Sequence, residues 1–418
     1  MHSVLGRTLA MALLSMGLGV CLGAAAWGDG RAPVLALALP LAVAFSRTRA
    51  LAACVAAGYA LGTLRYNAAF VATWFDDNLA IGLGIILALA VITALVWCIG
   101  WSSSARPARR AAAITVAWIL AVLPPATLAV PGHPLVATGY LLPAFGWFGV
   151  ALSLAAPGSL VWAAARIESL RMRVSLAVGA LAVLGALGFL IGGQERPNEV
   201  RGVQTIDTAW GMHTGLEDTL LRVENMPKAQ VSPHTVTVVW PESILGRYDR
   251  ATYPVLNLEL LGPAKRAGRV HVIGMDIPMP RDRLLNSAVA FYPDGSTATA
   301  TARQPAPLAL WRPWKNEGTF LANWSASNML NLGQGDRAAL IFCFEEYLPV
   351  LYLLNEALDQ PTVYLALANT WAAKHPQSSA IQTGHSLGMA KLFGRDYLKA
   401  ENRPSNGRNT NWSPSVAP

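Results

Sequence analysis

Residues 79–101 read LAIGLGIILALAVITALVWCIGW, an apolar run without a charged side chain. Crossing a bilayer takes about 20 such residues, and a lone segment in lipid satisfies its backbone only as a helix. The stretch therefore predicts a membrane-spanning helix. Outward from it, further apolar runs occupy 8–27, 33–46, 50–64, 111–130, 135–156 and 174–192. Residues 1–193 thus read as a transmembrane helical bundle of about seven spans. The runs at 33–46 and 50–64 are short, so Arg47, Arg49 and Arg65 must snorkel or the pair must be re-entrant. Composition agrees with a lipid-embedded half: 53% of the chain is hydrophobic and 13% is charged, against roughly 25% charged in an ordinary soluble domain.

The arginines orient the bundle, because short cytoplasmic loops collect positive charge. Arg7 precedes the first run, Arg47 and Arg49 follow the second, Arg106, Arg109 and Arg110 follow the fourth, and Arg166, Arg171 and Arg173 follow the sixth. The alternate loops are poorer in positive charge. This predicts a multi-pass protein of a bacterial inner membrane, with its N-terminus cytoplasmic and its C-terminal part periplasmic. A cleaved signal peptide ending near Ala24–Ala26 is the competing reading of the N-terminus, and it leaves the C-terminal part on the same side. The net charge of +8 contains no Lys/Arg block of five or more, so nucleic acid is not an expected partner. Cys21, Cys54 and Cys98 fall in apolar runs and only Cys343 lies in the later half, which argues against a disulfide framework.

From residue 194 the composition changes to charged residues, prolines and turn signals. Residues 194–402 suffice for one domain, and the Ser, Asn and Pro rich residues 403–418 read as a disordered tail. Strands are predicted at 235–240, 269–275, 286–292, 338–342 and 362–367, and helices at 348–358 and 378–398. The alternation implies an α/β layered domain with helices outside.

Two positions follow directly on strong strand signals, where α/β proteins place reactive groups. HTVTVVW (234–240) runs into Pro241 and Glu242, and RAALIF (337–342) runs into Cys343, Phe344, Glu345 and Glu346. A carboxylate beside a thiol makes a base and nucleophile pair, since the thiolate is the reactive form and an unperturbed thiol of pKa about 8.5 needs a proton acceptor at neutral pH. The plainer alternatives are a solvated strand-end acid and an inert buried cysteine.

The order WPES (240–243), VIG (272–274), NSAVAFYPDG (286–295), FCFEEYLP (342–349), ANTW (368–371) and GRDYLKAEN (394–402) resembles the carbon-nitrogen hydrolase (nitrilase) superfamily. With spans in front, it is similar to the apolipoprotein N-acyltransferase branch and to its shorter membrane relatives in conjugal transfer by Ti-type plasmids. The resemblance implies an α-β-β-α sandwich, with Glu242 as general base, Cys343 as the nucleophile that carries an acyl thioester, Glu345 as a supporting acid, and Asn369 and Trp371 on the pocket wall. It implies no cofactor. Departures accompany it. The family lysine after the DG turn is replaced by Ala302 or Arg303 in TARQPAP (301–307), and Lys315 is the nearest lysine onward. The family's last strands are expected after residue 402, so the domain reads as shortened at its C-terminus.

Gly384–Gly388, GHSLG, spells the nucleophile elbow of α/β-hydrolases, but no convincing strand precedes it and no histidine follows His385. Ser386 is therefore expected to be structural. The seven histidines lack ligand spacing and predict no metal site. Trp311, Trp314, Trp324 and Trp371 suit an apolar pocket or the lipid interface, and core packing is the plainer role for each. Two functions stand side by side: a Cys-dependent acyltransferase or amidohydrolase drawing on membrane lipid as acyl donor, and a catalytically impaired envelope scaffold. Either has a lipoprotein or the conjugation apparatus as its expected partner.

Overall fold

The computed structural model describes residues 2–167, 169, 172, 179, 200 and 202–405. The expected seventh span, the boundary at 193/194 and most of the expected disordered tail lie outside the described residues. The chain divides into two compact units. One comprises Met1–Arg196, Tyr347–Tyr352 and His375–Arg395, and the other Pro197–Glu346, Leu353–Lys374 and Asp396–Pro418.

Among the described residues of the first unit, three segments are long and apolar enough to cross a membrane: Gly6–Ala26, Leu79–Gly100 and Gly146–Ala164. Their leucines, such as Leu13, Leu14, Leu87 and Leu95, remain exposed, as a lipid-facing surface requires. Close packing comes from small residues. Gly19 and Gly23 of helix His2–Ala26 and Gly58 and Gly62 of helix Arg49–Thr63 each sit where an added Cβ would strike the facing backbone. The expected runs at 33–46, 50–64 and 111–130 form shorter helices, among them Leu39–Ala44, Arg49–Thr63 and Pro107–Val122.

The run at 135–156 is corrected to two helices, Pro134–Leu141 and Gly146–Ala164. Pro143 and the left-handed Ala144 and Gly146 break it, and the Ala144 amide donates to the Lys391 carbonyl at 2.7 Å. Helix Pro376–Phe393 is part of this unit. Gly139 and Gly388 meet so closely that a side chain on Gly139 would overlap the Gly388 carbonyl, and His385 accepts from the Gly132 amide at 3.0 Å.

The second unit holds two mixed, open sheets. The first runs in the order β1 (Val203–Thr205), β2 (Thr237–Val239), β3 (Val270–Met279), β4 (Arg283–Phe291), β5 (Thr297–Thr301), parallel up to β3 and antiparallel beyond. The second runs β6 (Met329–Asn331), β7 (Arg337–Phe342), β8 (Val363–Asn369), β9 (Asp396–Asn402), with β7, β8 and β9 parallel. One core joins their facing sides, from Val239, Val272, Ala288 and Ala300 to Leu340, Phe342, Leu365, Leu367 and Ala400.

Helix Leu216–Asn225 and the turns after Tyr253 cover the back of the first sheet through Val223, Leu256, Leu260 and Ile273. Residues 353–358 lie against β8, where Tyr364 donates to Glu356 at 2.9 Å. The result is the layered α/β arrangement with helices outside that the alternation of elements predicts. The helix expected at 378–398 is shortened: Gly394 caps it in the left-handed conformation, and residues 396–402 are strand β9.

Candidate functional site

Glu242 and Cys343 come together at the ends of β2 and β7. Beyond β2, Trp240 stays paired with β3, its amide donating to the Val272 carbonyl at 2.8 Å, and the chain then turns through Pro241, Glu242 and Ser243. The turn lies directly on Gly274 of β3, where an added Cβ would overlap the Pro241 carbonyl and crowd the Glu242 Cα at 2.7 Å. The glycine of VIG is thus what lets this turn close. Cys343 opens the short helix Cys343–Tyr347 with φ +37°, a strained setting for a residue with a side chain.

Glu242 is 4% exposed. Its Oε1 accepts from the Asn286 amide at 2.5 Å, its Oε2 accepts from the Asn369 backbone N–H at 3.0 Å, and the Cys343 thiol donates to the same carboxyl. Burial pushes this carboxyl up to about 8; the Asn286 amide opposes the rise, the charge of Asp276 adds to it, and the bonds from Cys343 and Asn369 oppose it. Asp276 is itself raised to about 6 by burial, against a hydrogen bond from Ser243 at 2.6 Å. A thiol hydrogen-bonded to a buried carboxyl is the contact that a base and nucleophile pair requires.

Glu345 is fully buried and spans two strands' ends, accepting from the Gln304 amide at 2.7 Å and the Phe342 amide at 2.9 Å. Burial raises its carboxyl to about 7 against these bonds. Its role is to hold the segment after β5 against the Cys343 turn. Asn369 gives Glu242 its backbone N–H, while its side chain accepts from Asn402 at 3.0 Å. Asn402 in turn accepts from Thr208 and from the Trp210 amide and donates to the Gly211 carbonyl, so the β8 end is clamped. Trp371 lies two residues beyond Asn369 and is half-buried.

The expected lysine replacements do not join this group. Ala302 packs into the core between the sheets. The Arg303 guanidinium is bound to the Ala326 carbonyl at 2.9 Å, to Asn355, and to Asp359 at 3.1 Å. That fixes it as a buried tie between β5 and the segment 355–359. Lys315 stands exposed in the turn after Trp311. Trp324 donates to Gln304 at 3.0 Å, and Trp314 is exposed. Ser386 is a helix residue whose hydroxyl meets Tyr352 at 2.7 Å, a structural role as expected.

Sequence reasoning did not find Asn286, Asp276 or Asn402. It also missed the pairing of Lys399 with Glu346 at 3.0 Å and of Tyr397 with Glu346 at 2.7 Å. Asn286 stands in the quoted NSAVAFYPDG stretch, where a polar residue inside an apolar strand was the available signal.

Two curated proteins align along nearly the whole chain. One is the probable conjugal transfer protein TraB of Sinorhizobium fredii (strain NBRC 101917 / NGR234), 27% identical over 392 residues, covering 88% of this chain and 93% of the relative. The other is the conjugal transfer protein TraB of Agrobacterium fabrum (strain C58 / ATCC 33970), 28% identical over 414 residues, covering 92% and 91%. The chain is similar to TraB conjugal transfer proteins along nearly its whole length. No family model matches it. Among solved structures, it is similar to a double mutant of the amidase from Nesterenkonia sp. AN1 in complex with acrylamide, at a TM-score of 0.36 and 14% identity, covering 51% of this chain and 81% of that one. It is also similar to the carbon-nitrogen hydrolase from Helicobacter pylori G27, at 0.33 and 15%, covering 48% and 73%.

Proposed function

We propose that this protein is a membrane-anchored thiol acyltransferase or amidohydrolase acting in plasmid conjugal transfer. The observation that carries the reading is the hydrogen bond between the Cys343 thiol and the buried Glu242 carboxyl. Glu242 in its ionised form takes the thiol proton, and the Cys343 sulfur attacks an ester or amide carbonyl to give a tetrahedral intermediate. Collapse breaks the bond to the leaving alcohol or amine, which receives the proton back from Glu242, and an acyl thioester stays on Cys343. An amine or water then attacks the thioester while Glu242 takes its proton, and the sulfur leaves with that proton restored.

Membrane lipid is the proposed acyl donor, and a lipoprotein or a component of the conjugation apparatus the proposed acceptor or partner. The proposed location is the inner membrane, with the N-terminus cytoplasmic and the catalytic unit periplasmic. Intact-protein mass spectrometry of the full chain with phospholipid tests the chemistry. The wild type is expected to gain an acyl mass that Cys343→Ala does not, and a wild type that gains none sinks the acyl-transfer reading.

A second reading, a non-catalytic scaffold for mating, is favoured by one observation: Ala302 and Arg303 bring no cation to the pair, because one is core and the other is tied to Asp359. Conjugation frequency separates the two. Loss of transfer by a hundredfold or more in Glu242→Gln and Cys343→Ala at normal protein levels supports catalysis, whereas undiminished transfer supports the scaffold.

A further inference from the structure

Lys399 is a buried cation that the mechanism above leaves unused. Leu398 and Ala400 face the core between the sheets, so strand alternation puts Tyr397, Lys399 and Glu401 on the other face of β9. The register carries Lys399 to Ala366 of β8 and Ala366 to Ile341 of β7, two residues before Cys343. Two strand spacings are about 10 Å, a distance the long lysine side chain shortens. Its ammonium lies 3.0 Å from Glu346, a residue of the Cys343 turn, and its side chain is only 10% exposed. Tyr397 donates to the other oxygen of Glu346 at 2.7 Å. Burial works against the lysine's charge, but Glu346 and Glu401 more than offset it and hold the ammonium ionised, with Cys343 itself contributing to the same field.

A buried ion pair is a poor device for stability, because an apolar pair of similar size serves as well or better. What this one does is fix a positive charge behind the turn that carries the thiol. Groups placed around the Cys343 turn include Glu242 from the first sheet, Glu345 and Glu346 from the turn itself, Arg303, whose charge acts on Glu345, and Tyr397 and Lys399 from β9 with Glu401 behind them. Asp276 faces Glu242 rather than the sulfur. Arg303 is committed to Asn355 and Asp359, whereas Lys399 is the cation paired with Glu346 and felt by Cys343.

We propose that Lys399 is a positioning residue for the Cys343 thiolate: clamped by Glu346, its ammonium stabilises the negative sulfur left when Glu242 takes the proton. The inference rests on the nucleophile reading of Cys343 given above. It does not require Lys399 to touch substrate, and it uses a lysine from β9 rather than from the segment after β5.

The test is the pH dependence of iodoacetamide alkylation at Cys343 in the full-length protein in detergent, with the adduct located by peptide mass spectrometry. Relative to wild type, Lys399→Met is expected to move the midpoint up by about one pH unit, as loss of a charge at this range implies. Lys399→Arg is expected to stay within a few tenths of a unit of wild type. Glu346→Gln is expected to move the midpoint down, because it removes the anion that partly cancels the lysine.

Opposite signs for Lys399→Met and Glu346→Gln are what a purely structural tie does not give, since loosening the turn shifts both the same way. An unmoved midpoint in folded Lys399→Met, or shifts of one sign in both variants, overturns the proposal. If Lys399→Met does not fold, the downward shift in Glu346→Gln with retention in Lys399→Arg decides in its favour, and any other pattern decides against it. Alkylation needs no acyl donor, so failure of the lipid reaction and failure of this field effect are separate results.

Discussion

A base that must take a proton from a thiol works best when the two affinities are close, and burial brings Glu242 up to about 8, near the ordinary thiol value of about 8.5. The rate of any Cys343-dependent reaction is therefore expected to rise with pH and level off above about 8, with kcat/KM in Glu242→Gln lower by about a hundredfold or more and without that limb. A flat wild-type profile between pH 6 and 9 rejects the role. The same shift sets a stability slope. Between the unfolded value near 4.5 and the folded value near 8, the native state holds a proton on Glu242 that the unfolded chain has released. Stability thus falls as pH rises through that window, and Glu345, raised to about 7, adds to the slope. Glu242→Gln is expected to flatten the fall in Tm between pH 5 and 8. Gly274→Ala is expected to cost about 1–3 kcal/mol and most of the activity, because its Cβ enters the Pro241–Ser243 turn; urea denaturation and a rate assay check it. Glu242 and Cys343 were legible as strand-end residues. Asn286 and Lys399 were not, because each acquires its meaning from a partner distant in sequence, 44 residues away in the case of Asn286 and Glu242.

The segment Lys391–Asn402 shows why elements were only partly legible. Asp396–Asn402 alternates, but its two faces are a small apolar set, Leu398 and Ala400, and a polar set in which Tyr397 and Glu401 are buried and Lys399 is nearly so. A strand whose polar face is buried by ion pairs has no amphipathic signature. β1 and β6 have three residues each and exist through pairing, not through their own propensity. β2 and β7, by contrast, are runs of β-branched and aliphatic residues buried on both faces, and they were read directly. GHSLG acquires a physical role at this scale. Gly384 and Gly388 lie on one face of helix Pro376–Phe393, and Gly388 packs backbone to backbone against Val136 and Gly139. Gly388→Leu is expected to break that contact and to lower the yield of folded membrane protein severalfold in a detergent-extraction assay, while Gly384→Ala, whose Cβ would meet only the Tyr140 hydroxyl at 3.9 Å, stays close to wild type.

At the scale of the molecule, the arginine spacing in the sequence becomes two ends of one helical unit. Arg49 stacks over Trp101 at 5.7 Å, Trp101 donates to the Ser46 carbonyl at 2.7 Å, and Arg110 donates to the Ala44 carbonyl at 2.8 Å. These residues share the end where helix Arg49–Thr63 begins. At the end where it stops, Arg65 donates to the Trp27 carbonyl at 2.9 Å and stacks over Tyr66 at 4.6 Å. His375 stacks on Tyr66 at 4.1 Å, and Gln377 accepts from the Asp29 amide at 2.7 Å. The start of helix Pro376–Phe393 therefore belongs to the arginine-poor end. If the arginine-rich end is cytoplasmic, as the positive-inside rule requires, residue 375 lies outside. Alkaline phosphatase fused after residue 405 is then expected to be active and a fluorescent-protein fusion there dark, with the reverse for fusions after Arg110. Adding lysines beside Arg65 while removing Arg106, Arg109 and Arg110 is expected to weaken the phosphatase signal, since it reduces the charge difference between the two ends. A dark phosphatase fusion at 405 in the otherwise unaltered protein overturns the orientation and, with it, the case for a periplasmic acyl acceptor.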